Sequence, residues 1–82
     1  MKRIIDDKSN FNITGKKIKE ARIAAKLSQQ QLSDKLEILA VYVCRGSISR
    51  IETGERIISD IELEAISKIL NVSIKFLFSQ DE

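Results

Sequence analysis

Apolar residues recur at helical spacing through most of the chain. Ile18, Ala21 and Ala25 form one side of a helix predicted over 15–25, with Thr14 as its N-cap and lysines on its other side. Ser28-Gln29-Gln30-Gln31 reads as a capping box: Ser28 accepts from the Gln31 N–H while the Gln31 side chain reaches back. Leu32, Leu36 and Leu39 then fall on one stripe facing a core. The apolar run 38–44 leaves two readings open, a longer second helix or a hydrophobic loop. A short third helix, from 45 or 46 to 53, turns Ile48 and Ile51 inward. Gly54 stands where a left-handed C-terminal residue belongs. Asp60 is the candidate N-cap of a fourth helix, with Glu62 and Glu64 in its first turns, where the dipole favours acid. Leu63, Ile66 and Leu70 make its inward stripe, and Asn71 ends it. Ser73 caps a last short helix holding Ile74, Phe76, Leu77 and Phe78. Residues 1–12 read as a flexible N-terminal arm on which Ile4, Ile5 and Phe11 are apolar, 13–79 as one domain and 80–82 as a tail. The predicted class is all-α, a compact five-helix bundle.

Composition narrows the chemistry. The chain has 82 residues, enough for one small domain, and its 43% apolar and 32% charged residues suit a folded protein. With no His there is no imidazole base, His metal ligand or catalytic triad. The single Cys, Cys44, excludes an internal disulfide and a Cys-rich zinc site. Three glycines cannot build a phosphate-cradling loop. The carboxylates are scattered over helix surfaces, so no catalytic constellation assembles, and neither an enzyme, a cofactor nor a small-molecule ligand is expected. The apolar runs are too short to span a membrane and the N-terminus lacks a signal-peptide core, so a cytoplasmic protein is expected.

The formal charge of +2 hides an asymmetry. Lys16, Lys17, Lys19, Arg22 and Lys26 face Glu20 alone in the first helix region, whereas Asp60, Glu62, Glu64, Asp81 and Glu82 outnumber Lys68 and Lys75 in the last. A basic front and an acidic back suit one face for a polyanion and another for a different partner.

Leu27-Ser28-Gln29-Gln30-Gln31-Leu32, then Ser47-Ile48-Ser49-Arg50-Ile51-Glu52-Thr53-Gly54-Glu55-Arg56, then Leu70-Asn71-Val72-Ser73 occur in that order. Together with Gly15, Ile18, Arg22 and Leu36, they resemble the Cro/cI-type helix-turn-helix family, also called the XRE family, over about residues 13–78. The resemblance implies a lambda-repressor-like DNA-binding domain. Its third helix would be the recognition helix, placing Arg45, Ser47 and Arg50 at base edges, with Gly46 allowing close approach. Arginine presents two parallel donors to guanine O6 and N7. The resemblance places backbone contacts at Gln29 and Arg56, and Lys17, Ser28 and Ser49 join them as candidates. Capping is the simpler role for Ser28. The resemblance also implies a structural ion pair between Arg22 and Glu52, tying the first helix to the third.

One feature departs from the family: a lengthened, apolar connection of residues 37–46 between Leu36 and Ser47. Its residues are expected to extend the core or to form a partner surface. Tyr42 is expected to pack, and Cys44 to be a small buried residue near the N-cap of the third helix. The implied function is a sequence-specific, dimeric DNA-binding regulator, a repressor on a pseudo-palindromic operator in double-stranded DNA. The homodimer surface is assigned to Ile58, Ile61, Ile74 and Phe78. The alternative is a protein–protein interaction module, antitoxin- or adaptor-like, that keeps the fold without specific DNA binding.

Overall fold

A computed structural model describes residues 11–79. The expectations for the arm over residues 1–10 and for the tail 80–82 lie outside the described residues. Five helices follow one another: α1 (Gly15–Ala24), α2 (Gln29–Ile38), α3 (Arg45–Glu52), α4 (Asp60–Leu70) and α5 (Ile74–Phe78). No strand occurs among the described residues. The core is a single cluster fed by every helix. Ile18, Leu32, Leu36, Ile48, Ile51, Ile66 and Leu77 are almost wholly buried in it. Each such side chain contributes about 1.5–3 kcal/mol through burial.

The helix starts are set by short polar side chains. Ser28 and Ser59 both complete capping boxes, with Gln31 and Glu62 as their partners. Ser59 therefore replaces Asp60 as the N-cap of α4, because its hydroxyl is the oxygen that reaches the Glu62 N–H (3.1 Å). Ser73 caps α5 as expected. Thr14 occupies the N-cap position of α1 but makes no capping bond with its side chain. Asn12 takes that role: its Oδ1 accepts from the N–H groups of Thr14 (3.0 Å) and Gly15 (2.7 Å).

The helix ends share one device. After α1, α2, α3 and α4 a residue turns left-handed, namely Lys26, Ala40, Gly54 and Asn71. In each case the next N–H bonds back to a carbonyl five residues earlier, as from Leu27 to Arg22 and from Val41 to Leu36. Gly54 and Asn71 are residues suited to that conformation. Ala40 is not, and strain there costs about 1–2 kcal/mol. Burial of Val43, with Val41 packed beside it, is of the same size or larger, so the turn holds.

That turn settles the apolar run. The second helix stops at Ile38 and residues 39–44 form a loop. Leu39, expected on the core stripe, is about half exposed, and Ile38 is 82% exposed. Ala25 is likewise exposed, because α1 ends one residue before it. Tyr42 is exposed rather than packed. Cys44 is also exposed, because the N-cap position it fills lies at the surface.

Candidate nucleic-acid interface

Helix α3 is held from three sides. Ile48 and Ile51 enter the core, and Glu52 enters an ion pair. The Arg22 Nε donates to Glu52 Oε2 at 2.6 Å and its Nη2 to Oε1 at 3.2 Å, a bidentate pair with both residues only 8% exposed. Arg22 Nη1 also donates to the Leu27 carbonyl (2.7 Å), so the guanidinium is satisfied on each edge the pair leaves open. The pair that the family resemblance implied is present and joins α1 to α3.

Asn12 provides the third hold. While its Oδ1 caps α1, its Nδ2 donates to the carbonyls of Ile51 (3.1 Å) and Arg56 (2.8 Å). One side chain thus stitches the start of α1 to the end of α3 and the loop beyond it. Phe11 adds a bond from its N–H to the Gly54 carbonyl (2.8 Å). The two segments approach so closely there that a Cβ at Gly15 would collide with the Ile51 carbonyl oxygen. Sequence reasoning gave Asn12 no role. The available signal was its position just before a helix start, where asparagine bonds backbone N–H groups two or three residues on.

With that side fastened, α3 turns its remaining surface outward. Arg45, Gly46 and Arg50 are exposed, and Ser47 and Ser49 are half-buried. Arg50 folds back along the helix: its Nη2 donates to Ser47 Oγ (3.4 Å), and its Nη1 lies close over Gly46. A Cβ at Gly46 would stand 3.7 Å from the Arg50 Nη1, an ordinary van der Waals contact. Cys44 begins the helix, and its Sγ donates to Ser47 Oγ (3.4 Å). Once ionised, the sulfur is stabilised by the Ser47 hydroxyl, which turns to donate to it, and next by the nearby Ser47 N–H, so the Cys44 thiol lies below its ordinary pKa. Cys44 makes no side-chain capping bond to α3, in contrast to Ser28, Ser59 and Ser73 at their helices. The structure therefore gathers Ser47 and Arg50 at the outward side of the first two turns, with Arg45 exposed at the helix start.

The expected backbone contacts are placed differently from one another. Ser28 is occupied as a cap. Gln29 donates from Nε2 to Glu52 Oε1 (3.0 Å), which makes it a third member of the Arg22–Glu52 network. Arg56 donates to both carboxylate oxygens of Glu62 (3.1 and 3.0 Å) and to the Ile57 carbonyl (2.9 Å). The same bond from Arg56, followed by the Ser59 N–H, lowers the pKa of Glu62, and Glu62 raises that of Arg56. Lys17 lies over the Phe76 ring, 5.2 Å from its centroid, and pairs with Glu20 at 3.5 Å. Of the residues assigned to a dimer surface, Ile61, Ile74 and Phe78 are exposed, while Ile58 packs partly against the core. Among the described residues no group of His, Cys, Asp and Glu could hold a metal ion, and no helix is long and apolar enough to cross a membrane.

No curated protein and no solved structure was found to match the chain. The helix-turn-helix family does match it, over residues 18–77, a span that runs from within α1 into α5 and takes in α2, the turn and α3 whole. With most of its length matched and with the helices in this order, the chain belongs to the Cro/cI-type helix-turn-helix family of DNA-binding regulators.

Proposed function

We propose that this protein is a sequence-specific transcriptional regulator, a dimeric repressor that reads the major groove of a pseudo-palindromic operator with α3. One observation carries the reading: α3 is fastened on its inner side by Ile48, Ile51, Glu52 and Asn12, and leaves Ser47 and Arg50 joined on its outward side with Arg45 exposed at the helix start. A rigid helix bearing arginine and serine on its free side has the chemistry of base readout. Two copies would meet half-sites about 34 Å apart on one face of the duplex. Arg45, Ser47 and Arg50 are assigned to base edges. Gln29, Ser28, Ser49, Lys17 and Arg56 are assigned to the backbone, with Gln29 oriented by Glu52.

The test is binding to the DNA just upstream of its own reading frame against unrelated DNA, titrated from about 50 to 200 mM salt. Tight binding to the upstream DNA alone is expected, and Arg50→Ala should weaken it by about 1–3 kcal/mol while relaxing discrimination at one position.

A second reading, an interaction module without specific DNA binding, is favoured by the engagement of Arg56 with Glu62 and of Lys17 with Phe76 and Glu20. Equal, weak and salt-erased binding to both DNAs would establish it in place of the first.

A further inference from the structure

The segment that leads into α3 alternates sides. Val41 packs against the core, Tyr42 is 74% exposed, Val43 is 3% exposed and Cys44 is exposed again. An extended chain turns successive side chains to opposite sides. Two valines drawn inward therefore fix the tyrosine between them outward, and turning Tyr42 in would expel Val43. Its place is specific. It lines one groove with Ser33, Glu37, Val43, Cys44 and Ser47, and Ser47 is the residue to which Arg50 donates. The phenol thus stands beside the outward side of the first turns of α3. No hydrogen bond to its hydroxyl occurs among the described residues. A phenol O–H donates as well as accepts, and tyrosine is among the side chains that bind DNA phosphates.

We propose that Tyr42 is a DNA-contacting residue, its hydroxyl donating to a phosphate oxygen of the strand that borders the groove entered by α3. The proposal rests on the reading of α3 as the DNA-reading helix. It gives the lengthened connection a function: the connection carries a phosphate contact from outside the helices to the edge of the recognition surface.

Tyr42 is the sole tyrosine and the chain has no tryptophan, so its intrinsic tyrosine emission reports on this ring alone. The probes are the duplex that the wild-type protein recovers from a randomised pool and an unrelated duplex of equal length. On titration, tyrosine emission should change, after correction for DNA absorbance. Tyr42→Phe should bind both duplexes about 3- to 10-fold more weakly. Its salt slope should equal that of the wild type, because the hydroxyl carries no charge. Its melting temperature should also be unchanged, since the side chain is outside the core. A Tyr42→Phe variant that binds like the wild type, while Arg50→Ala binds more weakly, overturns the inference and leaves the proposed function standing. A wild-type protein that recovers no duplex from the pool overturns the reading of α3, and this contact with it.

Discussion

Asn12 joins the start of α1 to the end of α3 and the loop beyond it, 39 and 44 residues further along the chain, and each of its bonds has a distinct chemical requirement. Oδ1 must accept from Thr14 and Gly15, and Nδ2 must donate to Ile51 and Arg56. Asn12→Ala removes both halves and should destabilise the domain by about 1–2 kcal/mol, as loss of an N-cap does. Asn12→Asp keeps the acceptor and loses the donor. It should melt below the wild type, because a carboxylate then faces the Ile51 and Arg56 carbonyls. Thermal unfolding of the three proteins checks this, and an Asp variant as stable as the wild type would show that the Nδ2 bonds contribute nothing. The capping half of this role was legible, since an asparagine just before a helix is a known signal. The donor half was not, because Ile51 and Arg56 come within reach only after α3 has docked.

Among the elements, the turn between α2 and α3 decides the interface geometry. Ala40 holds a left-handed conformation that only glycine adopts without strain. Ala40→Gly should therefore raise stability by about 1 kcal/mol, with part of the gain offset by the freer unfolded chain. A melting temperature that fell instead would mean that the turn is not left-handed in solution. The start of α4 makes a second prediction. Glu62 has its pKa lowered chiefly by Arg56, and the Ser59 N–H adds to this. A carboxylate depressed in the folded state stabilises it above the unfolded pKa, near 4.3, and loses that contribution as pH falls through the folded value. The wild type should be more stable than Glu62→Gln near neutral pH, and the two should converge below about pH 4. Melting curves across that range check the sign. Capping by serine at α2 and α5 could be read from the chain. At α4 the neighbouring Asp60 is also a local candidate, but the spacing from Ser59 to Glu62 is that of a capping box and both of its bonds form.

At the scale of the whole molecule, the segment before α1 together with α4 and α5 carries exposed apolar side chains among the described residues. Ile58 and Phe78 line one groove with Phe11 and Ile13, Ile61 and Ile74 line another with Glu64, and Asp60 borders both. In the proposed dimer this surface meets its copy. Ile61→Asp, at a position 65% exposed, should leave the fold intact and abolish the dimer, as read by sedimentation. Its binding to a two-half-site operator should lose cooperativity. A wild-type protein that sediments as a monomer both free and on DNA would remove the dimer from the proposal.

Five helices, the buried faces of α3 and α4, and the order of motifs that defines the family are legible in the chain alone. These rest on periodicity, capping and glycine chemistry, which act between near neighbours. Tertiary structure decided what depends on where segments meet. It chose the loop over a longer α2, because burying Val43 outweighs a strained Ala40. It engaged Gln29 with Glu52 and Arg56 with Glu62, because packing brought opposite partners within bonding distance. It also left Tyr42 and Cys44 outside, because Val41 and Val43 took the inward side of the loop that leads into α3.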